Sequence, residues 1–189
     1  MKIKFKIMTK SLMAGVLIAL GGLGLLLQNP LYFGFALLTI CLGNLFLYTG
    51  KIGFVDKKNW IDLPIILGCN ILGVTIAVLL FQFLPNYEIA LAKAQEIAQL
   101  KLSAGLWNTF VASIFCGVIL YYACAIYKTV RGVEWFIWFA VALFVACGFN
   151  HVIADLFYFL MAAVLPLPHL GVILLGNSIG SIVARKMSE

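Results

Sequence analysis

Apolar residues in this chain neither alternate with polar ones nor recur on a single helix face; they run on in blocks. Continuous apolar stretches cover residues 11–27, 31–48, 62–84, 103–127, 133–164 and 170–184, with charged and turn-forming residues gathered between them. With their flanks, these stretches have the length that crosses about 30 Å of hydrocarbon as a helix. In lipid, backbone N–H and C=O groups must be satisfied within their own segment or in a closed barrel, and barrel strands alternate apolar and polar positions. The pattern therefore predicts an all-α, polytopic membrane protein with six transmembrane helices. The first stretch is expected to be a helix of the bundle rather than a signal peptide, because five more follow it.

Polar residues inside the blocks carry the next layer of information. Leu67-Gly-Cys-Asn-Ile-Leu-Gly-Val74 in the third stretch is echoed by Leu175-Gly-Asn-Ser-Ile-Gly-Ser-Ile182 in the sixth, so the pair Asn70/Gly73 has the spacing of Asn177/Gly180. A weaker echo links residues 40–50 in the second stretch with 145–155 in the fifth. The chain is thus expected to form a single transmembrane domain over 1–189, built from two repeats near 11–84 and 103–184. Duplicating three spans inverts the second copy, an arrangement that places a solute path at the repeat interface. Gly43, Asn44, Thr49 and Gly50 in the second stretch, and Gly148, Asn150, His151 and Asp155 in the fifth, predict that helices two and five are broken, since freed backbone groups are tolerated where protein or water replaces their partners. Close helix packing through small residues is the alternative, and it suffices for Ala14, Gly15, Gly21, Gly22 and Gly24.

Composition and charge sharpen this picture without changing it. Apolar residues make up 64% of the 189, against 13 basic and 7 acidic side chains. Lys2, Lys4, Lys6 and Lys10 precede the first stretch, Lys51, Lys57 and Lys58 follow the second, Lys128 and Arg131 the fourth, and Arg185 and Lys186 the sixth; only Lys93 and Lys101 fall on the other side. By the positive-inside rule both termini are expected in the cytoplasm, with the chain in the cell (inner) membrane, and the net charge of +6 reflects topology and anionic headgroups rather than nucleic acid. Cys41, Cys69, Cys116, Cys124 and Cys147 all lie within apolar stretches, without CxxC spacing, and are expected to serve as small apolar fillers.

Little in the chain suggests an enzyme: there is no nucleophile elbow, phosphate loop or metal-ligand spacing, and no cofactor is expected. The residue of most interest is His151, an ionisable group within a span, where such groups face a pathway or bundle interior. Without a partner it would be neutral and short of a hydrogen-bond mate; a packed histidine with one internal bond is the plainer alternative. Asp155 could share a face with His151 and pair with it, or Asn150 and Asp155 could cap the ends of the break. Lys101, after a short amphipathic stretch near 90–100, could hold a positive potential at an outer vestibule, or simply extend to the interface. Phe33, Phe35, Phe144 and Phe149 lie on the two stretches expected to break, where rings can form constrictions that exclude hydrated ions.

The segment Phe144-Val-Ala-Cys-Gly-Phe-Asn-His151-Val-Ile-Ala-Asp155-Leu-Phe157 resembles the pore-histidine signature of the formate/nitrite transporter family, pentameric, aquaporin-like anion channels that include hydrosulfide channels. Ala14-Gly-Val-Leu-Ile-Ala-Leu-Gly-Gly22 is similar to that family's first-helix motif, Leu47-Tyr-Thr-Gly50 to its loop in the second span, and the two Asn-x-x-Gly pairs to its third and sixth helices. The resemblance implies a homopentamer in the lipid bilayer that passes formate, nitrite or hydrosulfide, as the anion or its conjugate weak acid. It casts His151 as the central proton-donating residue, Thr49 as its hydrogen-bond partner, Lys101 as the vestibule cation, and Phe33, Leu37, Phe144 and Leu120 as constriction residues. Asn150 stands where the family usually has glutamate, Gly117 and Asp155 where it usually has asparagine, Lys51 where a small polar residue is usual, and the link from Thr49 to Asn59 is short, which implies a reduced or rebuilt gating loop. A non-conducting scaffold and a pore for neutral solutes are the competing functional classes.

Overall fold

The computed structural model describes residues 2–57 and 59–189; Lys58, one of the basic residues used for orientation, lies outside them, as does Met1. The described residues form nine α-helices: α1 (Lys2–Leu27), α2 (Leu31–Leu42), α3 (Tyr48–Ile52), α4 (Leu63–Phe81), α5 (Tyr87–Ser103), α6 (Gly105–Thr129), α7 (Glu134–Ala146), α8 (Val152–Met161) and α9 (Leu167–Ser188), with a 3₁₀ turn at Trp60–Asp62 before α4. Four helical stretches are long and apolar enough to cross a membrane: Ile3–Leu27, Trp60–Phe81, Gly105–Thr129 and Leu167–Ser188. α2, α7 and α8 are equally apolar but shorter.

The helix boundaries depart from the apolar blocks for physical reasons. α1 begins well before residue 11, because lysine is a good helix former and hydropathy marks only where a helix enters lipid. The amphipathic stretch is longer than 90–100: α5 buries Ala90, Ala94 and Ala98, a four-residue stripe of small side chains, as it packs beside α8 and α1.

Two long pairs frame the molecule, α1 along α4 and α6 along α9. Both depend on absent side chains. A Cβ at Gly73 would stand 2.2 Å from the Leu12 carbonyl oxygen, and one at Gly180 would stand 2.0 Å from that of Ile114. Gly15 and Gly117 receive the Asn70 and Asn177 carbonyls from the opposite direction. Backbones this close are the usual means by which helices associate where lipid removes any hydrophobic drive between them. α2, α3, α7 and α8 fill the space between the pairs, with α2 against α7 and α8 touching α1, α4, α5 and α9. Outward-facing apolar residues such as Phe83, Trp107 and Phe139 are left exposed.

Candidate functional site

α2 and α7 end in the same way. After α2, the Leu45 N–H donates to the Ile40 carbonyl (2.9 Å) and the Asn44 N–H to that of Cys41 (3.1 Å); after α7, the Phe149 N–H donates to Phe144 (3.0 Å) and the Gly148 N–H to Val145 (3.0 Å). These are the two bonds of a Schellman cap, which needs a left-handed residue. Asn44 supplies it at φ 46° and Gly148 at φ 66°.

Each non-helical interval that follows is held by an asparagine from a long helix. Asn70 Nδ2 donates to the carbonyls of Ser11 (2.7 Å) and Phe46 (2.9 Å), while its Oδ1 accepts the Tyr48 N–H (2.9 Å). Asn177 Nδ2 donates to Ser113 (2.9 Å) and Asn150 (2.8 Å), and its Oδ1 accepts the Val152 N–H (2.9 Å). One side chain thus satisfies backbone groups on both sides of each interval, in a setting where an unpaired group costs about 1–3 kcal/mol.

His151 stands in the second interval and Thr49 just beyond the first. Both are buried, at 2% and 1% exposure, and His151 Nε2 lies 2.7 Å from Thr49 Oγ1. His151 is also the N-cap of α8: its Nδ1 accepts the Ala154 N–H at 3.1 Å. A ring nitrogen that accepts from a backbone amide carries no proton, so the neutral imidazole holds its hydrogen on Nε2 and donates it to the threonine oxygen. A second ring proton would cost the Ala154 bond.

Asp155 calls for a correction: it makes no pair with the His151 imidazole, although its carboxylate also faces the His151 backbone N–H. The Asp155 and Asn150 side chains reach α5 and α6. Asp155 Oδ1 lies 3.0 Å from Lys101 Nζ, which also donates to Asn150 Oδ1 at 2.6 Å; Asn150 Nδ2 donates to the Thr109 carbonyl at 3.4 Å. The Lys101 side chain is only 17% exposed, so it is a paired cation and not a lysine reaching for water. A cavity of 440 Å³ opens beside this cluster, lined by Lys101, Asn150, Asp155, Phe144 and Tyr158 among others.

Phe33, Leu37, Phe144 and Leu120 are all buried in one apolar core. The Phe33 and Phe144 rings meet edge to face at 5.7 Å, and Phe144 lies 6.2 Å from the imidazole. Phe35 is 53% exposed on the outside, and Phe149 stacks on Phe115 at 5.6 Å. A second cavity of 290 Å³ is lined by Leu37, Cys41, Leu47, Gly50, Lys51, Cys124 and Lys128. Asn150, just before His151, faces the first cavity and Gly50, just after Thr49, the second.

The formate/nitrite transporter family profile matches residues 2–187. This chain belongs to the formate/nitrite transporter family. No individually curated protein matches it. Among solved structures, it is similar to a pentameric formate channel with formate bound (20% identity, TM-score 0.77, covering 99% of this chain and 94% of the other). It is also similar to an FNT family ion channel (22% identity, TM-score 0.71, covering 95% and 85%). The family and these neighbours are channels and transporters rather than enzymes, and this formate/nitrite transporter family member is a multi-pass membrane protein.

Family membership gives the departures noted in the sequence a structural context. At Gly117, a Cβ would stand 2.3 Å from the Asn177 carbonyl, so no asparagine fits there in this family member. The carboxylate missing at 150 is matched by one at 155, on the same lysine. In the short link after Thr49, α3 ends at Ile52, the Asp56 and Asn59 side chains each accept the other's N–H (2.9 and 2.8 Å), and Arg185 Nη1 donates to the Val55 carbonyl at 2.6 Å. Sequence reasoning missed the partners of the two asparagines, Ser11 and Ser113. The signal was available, since Ser11-x-x-x-Gly15 and Ser113-x-x-x-Gly117 share one spacing.

Proposed function

We propose that this chain is a channel for a small monovalent anion or its conjugate weak acid, of the formate, nitrite or hydrosulfide class, with passage linked to protons at His151. In this reading the chain crosses the cell (inner) membrane six times as one domain. The second crossing is α2 with α3, the fifth is α7 with α8, and the two halves are inverted repeats with both termini in the cytoplasm. Matching caps, matching asparagine bonds and matching glycines support the repeat. The fold shared with a pentameric formate channel supports a homopentamer in which each protomer has its own path.

The path runs from the Lys101 cavity past Phe144 and Phe33 to the His151–Thr49 pair, and on past Leu37 and Leu120 to the Lys51 side. Asp155 and Asn150 engage two of the three ammonium hydrogens of Lys101, leaving one to greet an anion. Between the rings a bare anion would have to shed water with little to replace it, which is costly, whereas the neutral acid passes cheaply. At that point His151 is held as a neutral donor. Because Thr49 accepts from Nε2, its own hydroxyl hydrogen is free to bond the solute, while the apolar surroundings disfavour the charged form, so that a proton taken up from water travels with the solute where charge is least tolerable.

The observation that carries this reading is the buried 2.7 Å bond between His151 and Thr49, whose chain neighbours Asn150 and Gly50 line two different cavities. Flux of formate, nitrite and hydrosulfide into proteoliposomes as a function of pH, for wild type and His151→Phe, tests it. One solute is expected to enter faster as pH falls, with that dependence lost in the variant, which keeps the volume but has no donor. Background flux for both proteins points to a non-conducting scaffold. Equal, pH-independent flux points to a neutral-solute pore.

A further inference from the structure

The second cavity holds chemistry that solute passage leaves unused. Cys41, near the end of α2, and Cys124, on α6, are neighbours on one cavity wall. Both sulfurs are free, Cys124 is buried, Cys41 is partly open, and both residues line the 290 Å³ cavity together with Lys51 and Lys128. Cysteines at unrelated places in a bundle have no reason to meet at a cavity wall; here two helices from different halves of the chain bring them together. The ammonium groups on the same wall create the electropositive, partly accessible setting in which cysteine reacts as a nucleophile.

Register gives the pair its consequence. Cys41 lies four residues after Leu37 on α2, and Cys124 four residues after Leu120 on α6, so each thiol sits one turn from an apolar residue of the proposed constriction. Cys124 also borders α3: a Cβ at Gly50 would stand 3.5 Å from its sulfur, next to Thr49.

We infer that Cys41 and Cys124 form a dithiol modification site that hydrogen peroxide closes to a disulfide, pinning α2 to α6 beside the constriction and shutting the conduit. One sulfur, as thiolate, attacks a peroxide oxygen; the O–O bond breaks, water leaves and a sulfenic acid remains. The second thiol attacks that sulfur, the S–S bond forms as the S–O bond breaks, and a second water leaves. Two electrons pass from the sulfurs to the peroxide, and both thiol protons end in water. A pair on the side bearing Lys51 and Lys128, cytoplasmic by the positive-inside rule, faces a reducing compartment where disulfides are transient and regulatory. The shutting effect rests on the channel function proposed above; the oxidation site does not.

The test uses full-length protein in proteoliposomes, treated with hydrogen peroxide, alkylated under denaturing conditions and mapped by peptide mass, with flux measured in parallel. The expected result is a linked Cys41–Cys124 peptide, loss of two alkylatable thiols and loss of flux, all reversed by dithiothreitol and absent in Cys41→Ala. Full alkylation of all five cysteines after peroxide, or links formed only through exposed Cys147, overturns the site. A Cys41–Cys124 link with unchanged flux overturns the shutting effect. Untreated protein without flux removes the channel function and the gate with it, while the peptide map still decides the site.

Discussion

The interval after α2 and the interval after α7 are built from the same backbone bonds, yet only one holds a group capable of proton chemistry. Each follows a Schellman cap, and each is held by an asparagine that reaches a serine carbonyl on the first long helix of its half. What differs is the residue at the N-cap of the following helix. In the first half it is Leu47, which has no polar side-chain atom to offer, and α3 runs for five residues; in the second it is His151, whose Nδ1 takes the Ala154 N–H, and α8 runs for ten. The comparison separates scaffold from chemistry: the duplicated bonds hold two intervals open, and one side chain gives the second a donor that Thr49 from the first receives.

Three experiments would break or sharpen this comparison. The largest effect is expected from Gly180→Leu or Gly73→Leu. The added Cβ meets a backbone carbonyl that no rotamer change can move, so both variants should lose monodisperse assembly on size exclusion in detergent, whereas Gly68→Leu, with open space around it, should behave as wild type. Next come Asn70→Ala and Asn177→Ala. Each removes three hydrogen bonds, a loss of about 3 kcal/mol at about 1 kcal/mol per bond, so thermal unfolding should show similar destabilisation. Only Asn177→Ala also frees the segment that carries His151, so it should reduce flux more than its counterpart; equal flux in the two would remove the functional asymmetry. The smallest effect is expected from Thr49→Val, which keeps the shape and deletes the acceptor for Nε2. A stability loss of about 1 kcal/mol should accompany a clear fall in flux that Thr49→Ser largely restores, and wild-type flux in the valine variant would take Thr49 out of the site.

Much of the scaffold was legible in the sequence because it rests on residues that lipid makes conspicuous. The Asn70/Gly73 and Asn177/Gly180 echo stands out because asparagine is costly in a span, and both pairs turn out to bond or abut backbone. His151 was conspicuous for the same reason. Partners across long sequence separations were not legible. Asp155 sits one helical turn from His151, and local spacing allowed either a pairing there or a cap, but its ion pair is with Lys101 on a different helix. Cys41 and Cys124 look like filler one at a time and become a pair only when α2 and α6 are brought to one cavity wall. Helix ends were displaced wherever polar residues prolonged a helix past its apolar block, as at the start of α1.

The reach of each asparagine has a consequence for the order in which the molecule is made. Asn70 bonds to residues 11, 46 and 48, all synthesised before it, so the first three-helix unit can lock while the rest of the chain is still being translated. Asn177 likewise needs only partners from its own half, at 113, 150 and 152. The bond from Thr49 to His151, 102 residues apart, is of another kind: it exists only after two separately locked units have met. On the function proposed above, the site is a seam, and the protein becomes competent when its halves join rather than when either one folds.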